Sequence, residues 1–341
     1  MEYLSVWTGN EMIAWGGYSR NRAFGDGAAY DPQTRKWTKL PPSPLSPRIG
    51  AVGVWTGHEM LVFGGVRGET AFDSGAAYDP TTNTWRRLTP IPAELGGNLT
   101  VSGSYAAWTG TQMLVWGFFG SGQPGRHGGG SLRAALFDPS SDSWKVLAPA
   151  PAQAPLFGDA FWTGSELLVW GSVGPNAKGQ GHLDGFAYDL STNKWSRLPP
   201  PPLTPGFRDS MMATWTGRRL IVGGGETSTG NLANDAASFD PVTDKWSAFA
   251  PAPKGFTGNN NYSDLWTGTE VLILEDHLPN GRPLLFDPAT GKWTLGAPAP
   301  IPGRVEADEI WTGQEALLWG GGTQSGIYCC NVVKSGYSYR P

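Results

Sequence analysis

Short apolar runs alternate along this chain with polar breaks rich in glycine and proline, and the same order of runs returns seven times. In one clear copy an apolar run ends at Trp55-Thr56-Gly57, and a tight turn leads into a second, "EMLVFGG". A loop of variable length precedes a third run, "GAAYDP"; a short turn then gives "TWRRL", and a Pro-rich link leads to the next copy. Runs enriched in β-branched and aromatic residues and bounded by Gly, Asn, Asp and Pro predict strands, so each copy predicts four. The "WTG" tryptophans stand at 7, 55, 108, 162, 215, 266 and 311, at intervals of 48, 53, 54, 53, 51 and 45 residues.

A period of about 50 residues built from strands is the signature of a propeller blade. The diglycine after the second strand (Gly16-Gly17, Gly64-Gly65, Gly224-Gly225, Gly320-Gly321), the "YDP" and the Trp that follows resemble kelch repeats, and the "WTG" resembles those of bacteria. The resemblance covers nearly the whole chain. It implies an all-β, seven-bladed kelch-type β-propeller of four-stranded blades around a channel. It implies no particular activity, because a fold of this kind hosts both enzymes and binding proteins. A single domain is expected over 1–341, with blades starting near 1, 48, 99, 155, 208, 259 and 304. The last copy stops at "GYSYRP", so its blade is expected to have three strands. A longer parent chain and a natural three-stranded closing blade both account for that.

Net charge is −4 and no run of Lys or Arg stands out, which argues against nucleic acid and anionic membrane surfaces as partners. No apolar run has transmembrane length. The start lacks a basic segment followed by an apolar one, so no secretory leader is read there; an extracytoplasmic or secreted location is nevertheless preferred. All 17 tryptophans belong to the repeat: seven in "WTG", six after "DP" ("DL" in the case of Trp195), and Trp15, Trp116, Trp170 and Trp319 at the ends of second strands. Each is expected to be buried between neighbouring blades. None is left over as a sugar-stacking platform. The Asp of "DP" reads as an Asx-turn residue.

In an up-and-down blade, the turns joining strands one to two and three to four share one face, and here they are nearly uniform. The loops joining strands two to three, and the links between blades, share the other face and vary in every copy. A rigid scaffold with one variable loop face is where function is expected. Three of the four histidines, His127, His182 and His277, fall in those loops. Arg48, Arg208 and Arg304 each stand seven residues before their Trp, a position from which the kelch resemblance implies that arginines face a ligand. Hydrogen bonding to loop carbonyls is the alternative reading. Phe118, Phe119, Phe157, Phe207, Phe256 and Tyr262 supply aromatics for a rim suited to an anionic or sugar-like ligand. First strands bring carboxylates toward the channel: Asp159, Asp209, Asp264, Glu306, Asp308 and Glu309. Clustered in a narrow space, such groups raise one another's pKa. In blade six the diglycine gives way to Glu275-Asp276-His277, which makes these three residues and Tyr262 the catalytic candidates.

A metal site from the three histidines requires long loops meeting over the axis, so no metal and no cofactor is expected. Cys329 and Cys330 are adjacent and form either free thiols or a strained vicinal disulfide. Asn98 and Asn261 fit the glycosylation pattern. The leading functional reading is a monomeric propeller that binds a peptide, glycan or protein partner on the variable face, with Arg48, Arg208, Arg304, His127, His182, Phe157, Phe207 and Asp308 as ligand-binding residues. The competing one is a carbohydrate-active enzyme resembling kelch mutarotases or propeller polysaccharide lyases, in which Arg208 or Arg304 holds a carboxylate. Whether the protein is an enzyme stays open at this point.

Overall fold

The computed structural model describes residues 3–19, 22–95, 104–120, 130–155, 157–174, 181–204, 206–209, 211–253, 263–274, 282–299, 305–323, 331–332 and 335–341. Apart from a single 3-10 turn at Ala93–Leu95, every regular element among them is a β-strand. None of their helices is long and apolar enough to cross a membrane. The strands form seven successive antiparallel sheets, the all-β, seven-bladed propeller class that the repeat predicts. Blade two shows the pattern: Val52–Trp55, Met60–Phe63, Gly75–Asp79 and Thr84–Leu88 pair in chain order. In blade seven Val305–Trp311, Ala316–Thr323 and Gly336–Tyr339 pair in turn, and the two-residue strand Asn331–Val332 adds to the far half of the second.

The residues fall into two compact units, Met1–Leu168 with Tyr188–Trp195, and Val169–Ala187 with Ser196–Pro341. Within each, alternation along the second strand builds the core. In the first unit Met60 and Val62 pack with Ile13, Trp15 and Ala29 of blade one. Leu61 and Phe63 point the other way and pack with Met113, Val115 and Phe137 of blade three. In the second unit Val271 and Ile273 pack with Met212 and Ile221, while Leu272 and Leu274 pack with Ala316 and Leu318. A strand buried on both faces carries no polar alternation, which is why these runs read as continuously apolar.

In blade two the diglycine ends the second strand at the loop end. Gly64 and Gly65 have φ of 69° and 86°, and a Cβ on Gly65 would lie 2.7 Å from the Ile49 carbonyl oxygen. The chain turns away there and forms a separate two-stranded ribbon, Val66–Arg67 with Thr70–Ala71. Blades three and four lack the diglycine, and their second strands run on for eight residues, Met113–Gly120 and Glu166–Val173. Phe118 and Phe119 therefore stay in the sheet and are buried, not set on a rim as their loop position in the sequence implied.

The tryptophans divide in a way the repeat alone did not show. Trp15, Trp116 and Trp170 are about 1% exposed, whereas all seven "WTG" tryptophans are half-buried. Each "WTG" tryptophan is the last residue of its strand, at the sheet end. The tryptophans after "DP" stitch neighbouring blades. Indole N–H groups of Trp85 and Trp144 donate to the carbonyls of Pro41 and Thr89 at 3.1 and 3.0 Å. In the second unit Trp246 and Trp293 do the same to Pro199 and Ala250.

Candidate functional site

The uniform turns are self-contained. In each "WTG" turn the Thr hydroxyl accepts the N–H three residues on, as Thr56 does from Glu59 at 3.0 Å. In each "DP" turn the carboxylate accepts local donors. Asp31 takes the Gln33 N–H at 2.8 Å and the Thr34 hydroxyl at 2.7 Å, and these bonds, the hydroxyl first, hold it below the usual carboxylate range. The Asx reading of these residues is what the structure shows.

At the loop end, the two described blade-leading arginines are fully buried. The Arg48 guanidinium donates to the carbonyls of Ser46 and Gly64 at 2.9 Å each, to the Ser74 carbonyl at 3.2 Å and to the Ser74 hydroxyl at 3.0 Å. It lies 4.1 Å from the centroid of the Phe72 ring. Burial pulls it down to about 10, which still leaves it charged at neutral pH. Its main chain holds the neighbouring blade: Gly17 N–H donates to the Arg48 carbonyl at 3.1 Å, and Arg48 N–H donates to the Phe24 carbonyl at 3.0 Å. One residue thus latches two blades, the backbone to blade one and the side chain to blade two.

Arg208 repeats the device in the second unit. Its guanidinium donates to the Gly224 carbonyl at 3.1 Å and the Thr204 carbonyl at 2.7 Å, and it grips the Asp235 carboxylate with both terminal nitrogens. Its main chain bonds Ser172 of blade four. Both arginines reach the first glycine of a diglycine sixteen residues ahead. Positive φ at that pair aims the carbonyl inward. The glycines and the arginine work as one part.

Around Arg208 the second unit brings together several of the residues singled out by sequence. Phe207 is half-buried and packs over Gly181, where a Cβ would fall 2.0 Å from its ring. The next residue, His182, keeps half of its side chain exposed and places Nε2 3.5 Å from the Asp184 carboxylate. Asp184 is buried and already held: Arg197 donates Nε at 2.9 Å and Nη2 at 2.7 Å, and Gly185 N–H donates at 2.9 Å. The result is a ledge of Phe207 and His182, rigid beneath and open above.

Of the other expected site residues, Phe157 begins the first strand of blade four and Asp308 pairs with Trp319 in blade seven; their side chains lie outside what is described. His127, Arg304, Tyr262, Glu275, Asp276, His277, Cys329 and Cys330 lie outside the described residues altogether. Among the first-strand carboxylates, Asp264 belongs to blade six. It accepts a hydrogen bond from the Thr214 hydroxyl of blade five, and burial pushes its carboxyl up to about 6.

Sequence reasoning missed one pattern. The Glu after "WTG" faces the Asp of "DP", and several blades neutralise the pair. Arg86 grips Glu59 at 3.0 and 2.8 Å in blade two, Arg340 replaces the Asp and pairs with Glu315 in blade seven, and Arg219 replaces the Glu and pairs with Asp240 in blade five. Aligning the copies column against column carries that signal; reading each column alone hides it. Compared with known families, residues 47–92 match the Kelch motif.

Proposed function

We propose that the chain, whose residues 47–92 match the Kelch motif, is a ligand-binding scaffold whose loops between strands two and three, with the links between blades, hold a peptide, glycan or protein partner. The observation that carries this is the ledge of Phe207 and His182 on its latched base. A guanidinium that already has a carboxylate and two carbonyls as partners does not have to reorganise on binding, so Arg208 serves here to fix Phe207 rather than to meet the ligand. An aromatic face held still loses little entropy when it is covered, which is how rigid anchors contribute to affinity.

A sugar-acting enzyme remains the second reading, because an exposed histidine beside a buried carboxylate is the arrangement of an oriented general base. The occupancy of Asp184 favours binding over catalysis: Arg197 takes both of its oxygens at close range, and His182 is the distant partner at 3.5 Å. A panel of glycans, sugar acids and peptides, read by thermal shift and by turnover together, separates the two. Stabilisation without turnover supports the scaffold. Turnover that disappears in His182→Ala, with the fold intact, supports the enzyme.

A further inference from the structure

The first unit carries an open cleft of about 520 Å³ between the turns of blades one and two. It lies among the "WTG" and "DP" turns, not the variable loops. Its walls include Asn10, Glu11, Asp31 and Gln33 of blade one, and Trp55 and His58 of blade two. Trp55 is half-buried as a residue and lines the cleft. Two carboxylates and an indole share one cleft.

The repeat itself shows what such a place takes. In blade two the residue equivalent to Glu11 is Glu59, and the guanidinium of Arg86 closes on it with two bonds. Arg86 stands opposite Ala77 in the sheet; at the same register in blade one Thr38 stands opposite Ala29. Thr38 is exposed and carries no charge. Among the described residues no cation lies within ion-pair distance of Glu11, while Glu59, Asp240 and Glu315 each have one. Blade one therefore keeps the carboxylate of its neighbour at the same repeat position without the arginine that pairs with it there.

We propose that this cleft binds a guanidinium group, the arginine side chain of a peptide or protein partner, at Glu11 with Trp55 alongside. Both features select the same chemistry. A carboxylate accepts two parallel N–H bonds from a guanidinium, and an indole face attracts a planar cation. Asp31, whose oxygens already accept turn donors, adds charge rather than a second fork. The site shares no residue with the Phe207 ledge, and neither reading depends on the other.

The test is an NMR titration with Nα-acetyl-L-arginine amide, following the indole N–H resonance of Trp55, assigned by its loss in Trp55→Phe. The neutral isostere Nα-acetyl-L-citrulline amide is run beside it. Saturable shifts with arginine at least ten times tighter than citrulline are expected. Glu11→Gln should weaken binding by at least fivefold. Thr38→Arg, which copies Arg86 into an exposed position, should abolish binding while leaving the far-UV spectrum unchanged. Equal binding of the two compounds, no saturable shift, or a folded Thr38→Arg that binds as the parent does would overturn the proposal; if Thr38→Arg misfolds, Glu11→Gln decides alone.

Discussion

If Arg208 is a latch, its removal must be felt as stability. Its side chain is fully buried, whereas Asp235 retains 30% exposure. Breaking a buried ion pair from one side costs about 3–5 kcal/mol. Asp235 can rehydrate at the surface once the cation is gone, so the lower end, ~3 kcal/mol, is expected for Arg208→Ala. Asp235→Asn keeps an acceptor for one nitrogen and should cost ~1–2 kcal/mol, since the buried guanidinium loses its counter-charge but keeps its carbonyls. In the double variant the two losses overlap, and the coupling energy should be roughly 2 kcal/mol, within the range seen for residues in one network. Urea unfolding of the four proteins, followed by tryptophan fluorescence, measures it. A coupling below ~0.5 kcal/mol would refute the latch. So would an Arg208→Ala protein of unchanged stability that has lost only ligand binding.

Other consequences are open to measurement. Asp264 titrates near 6 in the folded protein against 3.8 ordinarily, so between those values the folded state holds more protons than the unfolded one. Its contribution is therefore most favourable at low pH and is lost as pH rises through about 6. The full effect corresponds to ~3 kcal/mol, reduced to ~1–2 kcal/mol because Asp264 is only half-buried as a residue and water screens part of it. Asp264→Asn should accordingly raise stability at pH 7 and leave it unchanged at pH 4, as read by urea unfolding at both; equal effects at the two values would contradict this. Trp170→Ala should lose ~3–5 kcal/mol as a fully buried ring, and Trp215→Ala clearly less because its ring is half-buried. Equal melting temperatures for the two variants would count against the observed division of the tryptophans.

The blades were legible because a period near 50 residues fixes strand number and order without any knowledge of packing. Burial was less so. "WTG" tryptophans and Trp15, Trp116 and Trp170 look equally structural as letters, but the first are half-buried at strand ends and the other three are fully buried; Trp319, at the same repeat position as those three, is half-buried. Phe118 and Phe119 looked like loop residues because the second strand of blade two ends at its diglycine; in blade three the strand runs on through them, as it does in blade seven even with Gly320-Gly321 in place. Arg48 and Arg208 had two readings, ligand contact or loop bonding. The choice turns on carbonyls sixteen residues away, which no local window contains. The cleft beside Glu11 was hidden for a related reason. Its signal is an arginine present in one copy and absent at the same register in another.

The most direct test of the scaffold account is the affinity of the best compound from the glycan, sugar-acid and peptide panel for the parent protein and for Phe207→Ala, with melting temperatures taken on the same samples. The ledge predicts at least a tenfold weaker Kd in Phe207→Ala, a melting temperature within a few degrees of the parent, and no turnover in either. Unchanged affinity in a folded Phe207→Ala, or a compound consumed by the parent protein, would contradict it.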